Sequence, residues 1–222
     1  MPGKLIVFEG LDGSGKATQT QLFYTFLQNK DLRVRHVSFP DYTSPSSALV
    51  KLYLSGAFGS DPQKVNPYAA ASFYTVDRFA SYQQVWKADY ESGAYILADR
   101  YTTSNLVYQL PKLPRTQWDA FIEWLLDFEY QKCELPRPDM TLYLDTPPKV
   151  SQKLLENRYA GDTSREDIHE KDTAFQAACR EAALYAAKQL HWTIVPCMEK
   201  NRLRSPDAIH ADIQLAVKKC LP

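Results

Sequence analysis

Three short, almost unbroken apolar runs mark out this chain: Leu5 to Phe8, Tyr95 to Ala98 and Met140 to Leu144. Each is the length of a strand, and each lacks the polar alternation that a half-exposed strand shows, so each reads as a strand buried on both faces. Arg33 to Ser38 alternates charge with apolar residues and reads as a further strand, stopped by Pro40. His191 to Pro196 completes the set. Between the strands the apolar period changes to that of a helix. Leu22, Phe23, Phe26 and Leu27 recur on one face, Leu49 to Leu54 form a short helix behind Ser44 to Ser47, and Asn66-Pro67 starts a long helix running from Tyr68 to Glu91, ended by Gly93. Thr116 to Cys133 is amphipathic through Trp118, Phe121, Ile122, Trp124, Leu125 and Phe128. Further helices are expected over Lys149 to Arg158, Thr173 to Leu190, and from the Ser205-Pro206 cap to about Lys219.

Strands that alternate with helices predict an α/β fold: a parallel five-stranded sheet with helices on both faces and ligands at the carboxyl ends of the strands. The residues that follow the predicted strands, Gly10 to Lys16, Phe39 to Tyr42, Asp99 to Tyr101 and Asp145, are therefore expected on one rim. At 222 residues the chain suits a single domain, 1–222. Residues 157–172 are polar and poor in apolar side chains, and are expected to form a mobile lid.

Charge narrows the range of partners. Lys plus Arg and Asp plus Glu number 26 each, so no global field draws nucleic acid polymers or acidic membranes. No run of eighteen apolar residues and no export signal is present, so a soluble, cytoplasmic protein is expected. Cys133, Cys179, Cys197 and Cys220 have no metal-binding spacing and read as reduced packing residues.

The chemistry lies in Gly10-Leu-Asp-Gly-Ser-Gly-Lys16, which fits the phosphate-loop pattern G-x-x-x-x-G-K between a strand and a helix. Glycines let backbone N–H groups turn inward, and the helix N-terminus adds unpaired donors and a positive dipole end. Gly10, Gly13, Ser14, Gly15, Lys16, Ala17 and Thr18 are thus the expected nucleotide-phosphate site. Ala17 departs from the pattern, which carries a Ser or Thr there for magnesium. Phosphoryl transfer needs cations on both anionic substrates; Arg78 and Arg100 are placed to fork onto a second phosphate. Arg158 and Arg165 read equally as lid groups that reach the transferring phosphoryl and as solvated charge on a polar loop. By spacing alone Tyr74 reads as core, beside Phe73, Phe79 and Tyr82.

These blocks together resemble the bacterial-type thymidylate kinases, over nearly the whole chain and in order. The first block, Phe8 to Lys16, resembles that family's phosphate loop, and the resemblance implies that Asp12 contacts the acceptor sugar and helps organise magnesium. Phe39-Pro40 is similar to the segment beside the thymine methyl. Tyr74-Thr-Val-Asp-Arg78 is similar to the aromatic-x-x-x-Arg signature, which implies that Tyr74 stacks on the base and Arg78 binds the acceptor phosphate. Asp99-Arg100-Tyr101, with Ser104, Asn105, Tyr108 and Gln109, resembles the segment whose arginine bridges phosphates and whose later polar residues read base and sugar.

The resemblance implies a phosphate-loop NTPase fold, ATP and dTMP as substrates, Mg2+ near Asp12 and Asp99, and a homodimer. Two other readings stay open. One is a kinase for another nucleoside or nucleoside monophosphate; the other is a nucleotide-binding protein without transfer activity, which Ala17 supports.

Overall fold

The structure, a computed structural model, describes residues 2–59, 61–158 and 173–221. The strands are β1 (Lys4–Glu9), β2 (Val34–Ser38), β3 (Tyr95–Asp99), β4 (Met140–Asp145) and β5 (Thr193–Pro196), followed by a small antiparallel hairpin of β6 (Met198–Glu199) and β7 (Arg202–Leu203). The helices are α1 (Lys16–Gln28), α2 (Ala48–Leu54), α3 (Pro67–Ser81), α4 (Lys87–Glu91), α5 (Thr102–Gln109), α6 (Trp118–Asp127), α7 (Pro148–Arg158), α8 (Thr173–Gln189) and α9 (Pro206–Val217).

β1 to β5 form one sheet in the order β2-β3-β1-β4-β5, parallel at every pairing. The register brings Ser38 and Phe8 beside Asp99, and Glu9 beside Tyr143, so the polar strand ends share one edge. Alternation along the central strands sorts the core into two layers. Ile6 and Phe8 of β1, with Leu97 and Leu142, pack under Phe23 and Leu27 of α1 and Ile209 and Ile213 of α9. Leu5 and Val7, with Ile96 and Ala98, turn to the opposite face and meet Tyr82, Trp86 and Tyr101. Side chains of this kind, wholly removed from water, are each worth about 1.5–3 kcal/mol. Beyond the second face, α5, α6 and α8 pack together through Leu106, Phe121, Leu125, Ala182 and Ala186.

The expected starts of two helices are present in atomic detail: Asn66 Oδ1 accepts from the N–H groups of Tyr68 and Ala69, and Ser205 Oγ from that of Ala208. Three features differ from expectation. The long helix from Tyr68 to Glu91 is interrupted by a π-helical turn at Tyr82–Trp86, and a second π-helical turn, Phe128–Lys132, ends the helix that starts at Trp118. Thr102–Gln109 is helical, although its polarity shows no amphipathic stripe; Ser104 apart, every residue of it is buried, so no exposed face exists to set a period. The expected lid falls mostly outside the described residues, which stop at Arg158 and resume at Thr173.

Candidate active site

β1 runs into the loop at Gly10, and the loop opens α1 at Lys16. The tight path needs glycine at two places in particular. Gly13 has φ +77°, and a Cβ there would lie 2.2 Å from the Ser151 carbonyl oxygen of α7. Gly15, with φ 93°, is the left-handed residue that precedes the helix. Lys16 folds back over its own loop, donating to the carbonyls of Gly10 (3.0 Å) and Leu11 (2.9 Å). Burial, and after it the neighbouring Arg100, pull the Lys16 ammonium below its usual pKa. Ser14 is buried within the loop, while Ala17 and Thr18 are exposed at the helix start.

β3 ends at Asp99, and Arg100 takes up φ +68°, an unusual conformation for a residue with a side chain. Its guanidinium is ion-paired with Asp12, donates to Ser104 Oγ and Tyr108 Oη (3.3 Å each), and lies 3.6 Å from the carboxylate of Glu9. Burial works against the Arg100 charge, but Asp12 and, after it, Tyr108 and Glu9 outweigh burial and raise its pKa well above the ordinary value. Burial would likewise raise the Asp12 carboxyl. Arg100, Lys16 and the Tyr108 hydroxyl, which donates to Asp12 Oδ2 at 2.8 Å, hold it below the usual carboxylate range instead. Glu9 is fully buried beneath them and accepts from Gly10 N–H (2.9 Å), Thr103 Oγ1 (2.7 Å) and Ser104 Oγ (2.7 Å), tying the β1 loop to the start of α5.

Beside this cluster lies a solvent-open cleft with about 530 Å³ of empty space, its mouth included. Asp12, Phe39, Pro40, Tyr74, Arg78, Arg100, Asn105, Tyr108 and Gln109, all singled out in the sequence, line it together. The Phe39–Pro40 peptide is cis. The following turn is held to α3 by Asp77, which accepts from Asp41 N–H (2.8 Å) and Ser46 Oγ (2.6 Å). Tyr74 lies edge-on to Tyr53, with ring centroids 6.3 Å apart, and is only half-buried, so its ring belongs to the cavity wall and not to the core. Arg78 is 1% exposed and ion-paired with a fully buried Glu129. Gln109 Oε1 is buried and has no hydrogen-bond partner among the described residues.

Asp99 does not line the cavity; it lies half-buried at the end of β3, and its carboxylate acts electrostatically on Lys16 and Arg100. Arg158 is the last residue of α7; its side chain and residues 159–172, Arg165 among them, lie outside the described residues. Asp145, at the end of β4, is taken up by Arg180 of α8, which donates to both its oxygens at 2.7 and 2.8 Å.

The sequence reading missed Leu54, which lines the cavity, and Glu9 and Glu129, which stand behind it. Glu129 left a trace: it falls four residues after Leu125 and seven after Ile122, an acid on the apolar stripe of its helix.

Among the described residues, no three His, Cys, Asp or Glu side chains cluster closely enough to hold a metal ion. Both Asp12 oxygens are engaged by Arg100 and Tyr108, and Ala17 offers no hydroxyl. Such a donor set fits an ion that arrives on substrate phosphates, keeps much of its water and takes one or two carboxylates from the protein.

A lysine-tipped glycine loop at the carboxyl edge of a parallel sheet, beside a cavity gripped by a buried and a partly buried arginine, defines a nucleotide phosphotransferase of the phosphate-loop NTPase class. Comparison with known proteins carries this further. The thymidylate kinase family model matches residues 8–206. The chain is 29% identical over 216 residues to a probable thymidylate kinase of Thermococcus onnurineus, covering 96% of each protein. It is 27% identical over 217 residues to the thymidylate kinase of Plasmodium falciparum, covering 98% of this chain and 90% of that one. Among solved structures, thymidylate kinase from Candida albicans superimposes with a TM-score of 0.73 at 25% identity, covering 99% of this chain and 92% of that one. This chain belongs to the thymidylate kinase family.

Proposed function

We propose that the protein transfers the γ-phosphoryl group of ATP to dTMP in line, giving ADP and dTDP. The observation that carries this reading is the joining of the phosphate loop to one cavity that holds Asp12, Arg100 and Tyr108 on one side and Tyr74, Arg78, Asn105 and Gln109 on the other. ATP phosphates replace the carbonyls of Gly10 and Leu11 as partners of Lys16. Arg100 clamps phosphate, and Asp12, kept ionised, orients the acceptor sugar. An oxygen of the dTMP phosphate forms the new bond to the γ-phosphorus as the bond to the β-bridging oxygen breaks, so no general base is required. Tyr74 stacks on thymine beside Phe39 and Pro40, Arg78 anchors the acceptor, and Asn105 and Gln109 read the base.

Asp12 and Asp99 would stand near a magnesium ion carried in on the phosphates, and the ion would supply charge neutralisation to the phosphoryl group. On sequence grounds alone, Arg158 and Arg165 are assigned to the transferring group, and 157–172 to a lid over one kinase domain spanning 1–222. No helix among the described residues is long and apolar enough to cross a membrane, and the reading places the enzyme in the cytoplasm. Leu49 and Leu52 of α2 and Val76 and Phe79 of α3 expose apolar side chains, which supports a homodimer through this face.

The test is ADP release with ATP, magnesium and a panel of acceptors: dTMP, dUMP, dCMP, dGMP and thymidine. The Candida albicans relative is described as having broad substrate specificity, so the panel matters. Preference for dTMP is expected, and loss of turnover in excess chelator. Preference for another monophosphate would keep the mechanism and replace the acceptor; ATP binding without acceptor-dependent release would overturn the kinase reading.

A further inference from the structure

Glu129 lies behind the cavity, out of reach of substrate, yet it governs what the cavity wall presents. Fully buried in the π-helical turn Phe128–Lys132, it accepts five hydrogen bonds: from Arg78 Nε (2.8 Å) and Nη2, Thr75 Oγ1 (3.0 Å), Thr102 Oγ1 (2.6 Å) and Asn105 Nδ2 (3.0 Å). Two of these donors, Arg78 of α3 and Asn105 of α5, also line the cavity. The widened turn carries the carboxylate to a point where both helices reach it.

The consequence concerns hydrogen-bond polarity. Asn105 Nδ2 donates to the Glu129 carboxylate and to the Ala71 carbonyl (3.3 Å), two groups with lone pairs only, so the amide cannot turn over. Its two hydrogens are spent there, and Oδ1 is what the amide has left for the cavity. Arg78 is held through Nε and Nη2, which leaves Nη1 for the cavity, as a donor. An acceptor at this point matches a base edge that presents a ring N–H. It opposes a bare ring nitrogen at the same place, as on a cytosine-type edge. Burial alone would weaken the Arg78 charge, and the facing carboxylate more than offsets this, so the fork stays protonated and its polarity constant.

We infer that Glu129 is a positioning residue that holds Arg78 for the acceptor and fixes the Asn105 amide with its oxygen toward the base, so that the wall admits a thymine- or uracil-type edge and refuses a cytosine-type edge. The inference rests on the proposed reading of this cavity as the acceptor-base site.

Glu129→Gln keeps the shape but brings an amide donor into the cluster, which sets one donor against another and frees Asn105 to turn. Kinetics on dTMP, dUMP and dCMP, ATP kinetics and calorimetric binding of dTMP and dCMP are measured on the full chain. The KM for dTMP is expected to rise about tenfold or more, with the dTMP-over-dCMP preference narrowing by a similar factor. The KM for ATP stays within about twofold, since Glu129 touches nothing in the phosphate loop. Thr102→Val, which removes one donor to the carboxylate and leaves the Arg78 pair, shifts the same two quantities the same way by about two- to fivefold.

A folded E129Q with dTMP KM and nucleotide preference unchanged, or with ATP and dTMP KM raised equally, overturns the inference. If E129Q does not fold, an unchanged dTMP KM and preference in T102V overturns it. A parent enzyme that binds dTMP selectively without turning it over refutes the kinase reading and leaves the binding comparison to decide on Glu129.

Discussion

Arg100 offers a way to separate the chemistry of a side chain from the cost of its backbone. Its guanidinium ties Asp12, Tyr108, Ser104 and Glu9 together, while its φ of +68° lies where a Cβ is unwelcome. Arg100→Ala and Arg100→Gly remove the same guanidinium, and strand the same carboxylates, but only the glycine relieves the backbone. The left-handed conformation costs a residue with a Cβ roughly 1–2 kcal/mol. The larger conformational freedom of glycine in the unfolded chain returns about 0.5–1 kcal/mol of that. Arg100→Gly should therefore be the more stable of the two by about 1 kcal/mol or slightly less, which for a chain of this size is about 2–4 °C in Tm. Turnover, by contrast, should fall alike in both, by about 10²- to 10³-fold, the usual loss when one preorganised charge donor is taken from a site that excludes water. Thermal melts and ADP release on the same preparations decide the matter. An alanine variant as stable as the glycine variant would refute the backbone argument. A wide gap in turnover between them would mean that the loop conformation itself enters the reaction.

Three further outcomes follow from the same structure. Gly13→Ala drives a Cβ to 2.2 Å from the Ser151 carbonyl at φ +77°, so a loss of about 2–4 kcal/mol from overpacking and strain is expected in urea titrations, and an unchanged midpoint would count against the loop geometry. Burial brings the Lys112 ammonium, which donates to Tyr53 Oη at 2.6 Å, down to about 7. The unfolded chain therefore binds the extra proton from about pH 7 up to about pH 10, and stability gains with rising pH. Relative to Lys112→Met, the parent should gain on the order of 1–2 kcal/mol between about pH 7 and 9; parallel curves would refute this. Val76→Asp, beside Phe79 on the exposed apolar face of α3, should convert the proposed dimer to a monomer by sedimentation, and a variant that sediments like the parent would remove that face from the proposed interface.

The strands and the rim were legible because burial on both faces leaves a simple trace: apolar runs such as Leu5 to Phe8 and Tyr95 to Ala98 that stop abruptly at charge. The loop glycines and Lys16 were legible because anion binding at a helix start requires those residue types at that spacing. What escaped was whatever depended on two distant elements meeting. Nothing local to Phe128-Glu129-Tyr130 says that α3 and α5 will converge on that carboxylate, and a π-helical turn widens a helix without any change in composition. Tyr74 was ambiguous for a related reason: a stacking ring and a core ring obey the same helical period, and only the position of the cavity separates them. Thr102–Gln109 hid as a helix because nearly all of it is enclosed.

The carboxylates packed beneath the arginines bear on how nucleotides first arrive. Among the described residues, Lys16, Arg78 and Arg100 share the site with Glu9, Asp12, Asp99 and Glu129, so cations and anions nearly cancel before any ligand enters. The chain as a whole is balanced too, with 26 basic and 26 acidic residues. These described residues by themselves cast little long-range field toward a polyanion, so their share of the association rate should respond little to added salt. Recognition is local: the grip on phosphate is felt only within hydrogen-bonding distance, where the arginines exchange partners they already hold.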